Sequence, residues 1–275
     1  MTEPFATWID RDVMRGHGPD VASYLQGQVS QDVDAMTIGA TTWTLLLSPA
    51  GKVDAWLRLT RVAADEFLLD TDGGWTESVL ARLHRFKLRT KAEFEPITGW
   101  RCLAVRGTTV AHPRARPIVW PGTEGVDLLG PDVEAPPDIA LDDRYERARI
   151  EAGVPAMGRE LTESTIPVEA GQWLIDASVS FTKGCYTGQE LVARIDSRGG
   201  NAPRPIRGIR VRGHVSAGAP VVAEDGRALG NLTSAWFDSD ADETLALAPL
   251  ARSVAPPASV LVGERPATVV DLPMR

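Results

Sequence analysis

Between residues 111 and 139 the chain carries Pro113, Pro117, Pro121, Pro131, Pro136 and Pro137. A proline ring removes a backbone donor and collides with the preceding helical turn, so this spacing excludes a regular helix and most central strands there. The chain is therefore expected to fold as blocks on either side of an irregular connection, with one short strand around residues 118–120. Ahead of it, residues 41–47 and 53–60 read as strands joined by the turn-rich Ser48-Pro49-Ala50-Gly51-Lys52. A strand at 66–70 follows, then an amphipathic helix at 75–88 with Val79, Leu83 and Phe86 on one stripe. Strands at 92–97 and 101–105 close the block, and Cys102 within the latter reads as core filler.

Beyond the prolines, residues 143–152 read as a helix stopped by Gly153, with Pro155 just past it. Residues 162–169 read as a loop. Gly199-Gly200-Asn201-Ala202-Pro203 is a natural linker into a strand- and turn-rich end, expected to be a small β-barrel or sandwich. The 275 residues, 43% of them hydrophobic, suffice for about two domains.

A formal charge of −8 argues against nucleic acid or an anionic membrane as the main partner. Neither a targeting peptide nor an apolar run of about 20 residues is seen, so a cytoplasmic location is expected. Two cysteines, Cys102 and Cys185, make no disulfide scaffold, and nothing offers zinc spacing. Yet residues 177–214 hold seven basic side chains against two acidic ones. That local excess reads either as a solvated face or as a site for a small anion.

The second cysteine lies in Lys183-Gly184-Cys185-Tyr186-Thr187-Gly188-Gln189-Glu190. Thr187 and Glu190 match the threonine–glutamate box that opens helices. Leu191, Val192 and Ile195 then follow at helical spacing. A turn beside a helix N-terminus, with Lys183 close by, would favour the thiolate of Cys185. The alternative is a small buried hydrophobe.

Three stretches resemble the YgfZ-type folate-binding proteins, relatives of the glycine-cleavage T-protein, an aminomethyltransferase. They are Arg149-Ile150-Glu151-Ala152-Gly153-Val154-Pro155, Ile166-Pro167-Val168-Glu169, and residues 180–194 around Cys185. Residues 24–33 and 226–234 resemble the family's opening segment and a strand of its C-terminal barrel. The resemblance implies an α+β, three-domain cloverleaf around a central hole that holds tetrahydrofolate or a one-carbon derivative. Residues 1–40 and 140–200 would form a discontinuous first domain, 41–139 an inserted α+β domain, and 201–275 the barrel. Mitochondrial members serve iron–sulfur protein maturation, so iron–sulfur client or assembly proteins are the implied partners.

Carried over residue by residue, the resemblance makes Glu169 the carboxylate that accepts pterin N–H groups. Gln189 would complete that set, Tyr186 would line the rim, and Lys183, Arg194 and Arg198 would favour the anionic tail. Each also reads as helix surface, packing or local ion pairing. The family's transferases carry an aspartate pair after an early hairpin; here those positions fall on Ala55 and Trp56, with Asp54 one residue off. A one-residue offset reverses the strand face, which speaks against aminomethyl transfer. Trp56 and Trp75 read as a stacking wall or as core. The expected function is a folate-binding accessory protein for iron–sulfur enzymes with a reactive thiol at Cys185. The alternative is a tetrahydrofolate-dependent aminomethyl or methyl transferase.

Overall fold

A computed structural model describes residues 3–197 and 201–274. The first half runs β1 (Phe5–Ile9), β2 (Arg11–His17), α1 (Val21–Gln28), β3 (Thr41–Leu47), β4 (Val53–Ala63), β5 (Glu66–Asp72), α2 (Thr76–Arg85), β6 (Glu93–Ile97), β7 (Arg101–Arg106), β8 (Ala115–Pro117) and β9 (Gly125–Gly130). Then come α3 (Tyr145–Ala152), a 3-10 turn (Pro167–Ala170), α4 (Gln172–Ser178) and α5 (Gln189–Ser197). The last part is all strand: β10 (Ile206–Arg212), β11 (Pro220–Val222), β12 (Ala228–Asn231), β13 (Ser234–Asp238), β14 (Glu243–Pro249), β15 (Ala258–Val262) and β16 (Arg265–Val270).

These form three sheets: β1-β7-β9-β8, β3-β4-β5-β2-β6, and the seven-stranded β12-β11-β15-β16-β10-β14-β13. The last is drawn wholly from residues 206–270 and encloses its own apolar cluster around Ile209, Val221, Val260 and Val269. The other two sheets divide differently from the expected boundary at residue 40. β1 pairs with β7, and β2 lies between β5 and β6, so the opening residues share sheets with residues 41–130.

α2 forms where its apolar stripe requires it. Val79 and Leu83, one turn apart, are buried, while Glu77 in the first turn and Arg85 in the last complement the helix dipole. α3 ends at Gly153, whose N–H returns to Arg149 and Ile150 carbonyls. In β4 the face carrying Asp54, Trp56 and Arg58 is not a solvent face: Trp56 and Arg58 are buried. The proline-rich connection holds a central strand after all, because residues 122–130, between Pro121 and Pro131, contain no proline and β9 fits within them. The short strand falls at Ala115–Pro117, ahead of the expected 118–120.

A polar clamp joins α3 to the last sheet. The buried Glu160 carboxylate accepts from Arg149, Thr233 and Ser234, and Arg149 also donates to Ser234 Oγ at 2.6 Å. With every partner supplied, this buried charge is compensated. Among the described residues no helix is long and apolar enough to cross a membrane.

Candidate functional site

The cysteine segment is held by the opening segment. Lys183 Nζ donates to three backbone carbonyls, Gln26 at 2.6 Å and Val29 and Gln31 at 2.8 Å. These surround the C-terminal end of α1, where a cation is favoured by the helix dipole. Thr187 N donates to the Gly27 carbonyl, Ser180 N to that of Ser30, and Ser30 Oγ to that of Ser178. All three Lys183 donors are thus committed within the protein. The sequence reading had set this ammonium to favour the thiolate or a ligand's anionic tail. Burial pushes its pKa down to about 8.

Cys185 is exposed, whereas Cys102 is buried and burial raises its thiol to about 12. The expected threonine–glutamate box does not open α5. The helix begins at Gln189, and Gly188 before it has φ +82°. Gly188 is left-handed because it packs on the hairpin between β3 and β4: a Cβ there would overlap Ser48 O and Leu47. Gly51 in that hairpin meets it from the other side, and a Cβ on Gly51 would overlap Leu191.

Glu169 caps its own 3-10 turn, with Oε2 accepting from Ile166 N and Oε1 from Arg204 N, both at 3.1 Å. It therefore ties the turn to the chain entering the last sheet, and burial raises its pKa. The apolar crevice beside it, lined by Val168, Ile175, Leu191 and Ile195 among others, offers about 10 Å³. That is room for a water molecule and not for a pterin. Gln189 Oε1 accepts from Tyr186 N at 3.3 Å, closing the local turn. Tyr186 is buried, its ring 5.1 Å from Lys183 Nζ and its phenol raised by burial to about 12. Arg194 is exposed beside a shallow groove shared with Asn201, and Arg198 lies outside the described residues. Trp56 is core, 4.3 Å from Trp43 and bonded to Ser178 Oγ at 3.0 Å. Trp75 is half-buried and packs near Gly158.

The hairpin carries no carboxylate pair. Ala55 and Trp56 are buried, and Asp54 is the extra residue of a bulge where Leu46 pairs with Ala55 and Leu47 with Val53. The bulge turns Asp54 toward Arg82 Nε at 2.9 Å. On the same strand, Arg58 instead joins a buried ladder of charges. Arg11 and Arg58 share Asp70 at 2.6 and 2.8 Å; Arg58 and Arg106 share Asp127 at 2.7 and 2.8 Å. Burial pushes both carboxyls up, but the arginines outweigh it and hold each below its usual range.

A cleft of about 570 Å³ lies where three parts of the chain meet. Phe5, Ala148 and Glu151 line one side, Arg106, Thr123 and Glu124 another, and Pro273 and Met274 the third. Its size is that of a small-molecule site. None of the residues singled out as ligands from the sequence lines it. Glu151 lay within the Arg-Ile-Glu-Ala-Gly-Val-Pro stretch, the one signal that pointed here; Arg106 closes an apolar run and gave none.

The fold is similar to that of an aminomethyltransferase T. Aminomethyltransferase T of the glycine cleavage system from Bartonella henselae superposes with a TM-score of 0.78 at 19% identity, over 99% of this chain and 86% of that one. No family model matches the chain. A Haemophilus influenzae protein is 33% identical over 190 residues, 67% of this chain and 65% of that one. The tRNA-modifying protein YgfZ of Photorhabdus laumondii is 25% identical, over 70% of this chain and 66% of that one. The mitochondrial iron-sulfur cluster assembly factor IBA57 homolog of Mycosarcoma maydis is 28% identical, over 69% and 53%. The chain is thus similar in sequence to YgfZ and IBA57 proteins, and in fold to an aminomethyltransferase T. It spans between about half and two thirds of the length of the relatives it matches.

Proposed function

We propose that this protein is a folate-binding accessory factor that supports assembly or repair of iron–sulfur enzymes, with Cys185 as its working thiol. The observation that carries the proposal is an exposed cysteine on a segment anchored to the opening segment by Lys183 and by the Thr187 amide. An exposed thiol can attack, carry sulfur or bind metal, whereas the buried Cys102 cannot. One thiolate does not hold a cluster alone, so further ligands would come from a client protein. The relatives named for iron–sulfur assembly and tRNA modification support this class of role.

Folate would occupy the cleft between Phe5, Thr123, Glu151 and Met274, which has room for it, in preference to the small crevice beside Glu169. A bound reduced folate supplies a redox-active pterin and a carrier for one-carbon units. The hairpin supports an accessory role over transfer catalysis, since Ala55 and Trp56 offer no proton acceptor and Asp54 is paired with Arg82. Two measurements test the proposal. Calorimetric titration of tetrahydrofolate should give micromolar binding, and its absence removes the folate half. A strain lacking the gene, complemented with Cys185→Ala, should lose iron–sulfur enzyme activity; full activity removes the thiol half.

A further inference from the structure

We infer that the guanidinium of Arg106 is the recognition group of the 570 Å³ cleft, reading an oxygen acceptor on a planar ligand. The inference rests on the folate proposal only for the choice of probes.

Arg106 ends β7, is 1% exposed, and still lines the cleft. Its Nη1 donates to Asp127 Oδ1 at 2.8 Å and to the carbonyls of Val105 and Val126 at 2.9 and 3.2 Å. Nε is buried with no acceptor, and Nη2 makes no hydrogen bond to any described residue. The Nε–H is thus a buried donor that the fold leaves without an acceptor among the described residues. Leaving a buried donor unpaired is costly and rare in native proteins.

The charge distribution points the same way. Arg11, Arg58 and Arg106 share two fully buried carboxylates, Asp70 and Asp127, and Asp127 is divided between two arginines. The further carboxylate, Asp72, sits at the opposite end on Arg11. Positive charge is thus least compensated at Arg106. Of the two acidic residues on the cleft wall, Glu151 pairs with Arg147 at 3.0 Å, and Glu124 is exposed, where solvent and salt screen its charge. Trp120 backs the guanidinium at 4.1 Å and Tyr145 at 5.3 Å, fixing its plane. Apolar Phe5, Pro121 and Met274 complete walls suited to a flat ring. An aromatic or heteroaromatic ligand with a ring carbonyl, carboxamide or carboxylate meets all of these features, and both halves of a folate belong to that class.

The test titrates tetrahydrofolate, p-aminobenzoylglutamate and pterin-6-carboxylate into the wild type, Arg106→Lys and Ala148→Trp. The lysine keeps a charge beside Asp127 but removes the donor fork. The tryptophan fills the cleft from α3 and leaves the charge ladder intact, so one variant remains informative if the other folds poorly. At least one probe should bind the wild type and lose tenfold or more in affinity in both variants. Wild-type affinity for tetrahydrofolate in Ala148→Trp would overturn this inference and the placement of folate in this cleft, and leave folate binding itself standing. Loss in Ala148→Trp with none in a folded Arg106→Lys would remove Arg106 as the reader. Binding of a half-ligand but not of tetrahydrofolate, weakened in both variants, would support the cleft and end the folate proposal. No binding of any probe to the wild type would end both.

Discussion

Lys183 Nζ and the carbonyl of Val29 are 2.8 Å apart across 154 residues of chain. That bond, with its companions to Gln26 and Gln31, makes the opening segment and the cysteine segment one structural unit. Lys183→Met removes every donor and leaves three carbonyls without it. A loss of about 2–3 kcal/mol in chemical denaturation is expected, the scale of hydrogen bonds to a charged group. The folded pKa of Lys183, about 8, lies below its ordinary 10.5, so the native state sheds this proton first. Wild-type stability should therefore rise relative to Lys183→Met as pH climbs from about 8 to 10.5. A difference that stays constant across this range would refute the assignment.

The glycines of the cysteine segment are not equivalent. Gly188→Ala places a Cβ at φ +82° against Ser48 O and Leu47. Left-handed strain costs about 1–2 kcal/mol for an L-residue, and the backbone overlap adds to it. At Gly184 a Cβ meets nothing within 4 Å, so Gly184→Ala should leave the melting temperature unchanged. Thermal melts of the two variants check the contrast, and equal losses would contradict the packing described. Complementation with Gly184→Ala then asks whether that open position serves a partner rather than the fold.

Much of the frame was legible because it is local. Residues 41–47, rich in threonine and apolar side chains, pack as a strand, and Gly153 ends its helix as glycine does. What escaped the sequence is long-range. α1 has only Val21, Tyr24 and Leu25 buried and no side-chain cap at its start, so its period is faint; its C-terminal end is completed by a lysine from far along the chain. β9 was hidden by the prolines that flank it. At the site, the turn that carries Cys185 was legible from the motif, while its exposure was left open against burial. The roles of Lys183 and Glu169 were not legible, because their partners are backbone groups that only folding brings near. Arg106 looked like the end of a strand, since its meaning depends on Asp127 and Trp120 across the fold.

The charge ladder sets a pH limit. Asp70 and Asp127 are held below the ordinary carboxylate range of 3.8 by their arginines. A carboxyl depressed in the native state contributes stability that is complete above the unfolded pKa and lost as pH falls through the folded one. The ladder's contribution should therefore stay flat from pH 7 to about 4.5 and disappear only below 3.8. Asp127→Asn, which leaves Arg58 and Arg106 facing a neutral amide, should cost roughly 3–5 kcal/mol at pH 7. Its stability should converge on that of the wild type in acid. A variant with unchanged stability at neutral pH would mean that the ladder contributes little beyond packing.

The two thiols should separate cleanly in reactivity. Cys185 is exposed on its loop, while Cys102 is 2% exposed within β7 with its thiol raised to about 12. Alkylation follows the thiolate and its access, so at pH 8 the native protein should take one iodoacetamide per chain, at Cys185. The second should add only in denaturant. Mass spectrometry of the native and unfolded protein decides this, with Cys185→Ala as the control that takes none while folded. Modification of Cys102 in the native state would mean that β7 opens readily, which would also unseat Arg106 at its end. Confined to Cys185, the same alkylation offers a direct functional probe: the protein should keep its ligand affinity at the cleft and lose its support of iron–sulfur enzymes, separating thiol from binding site.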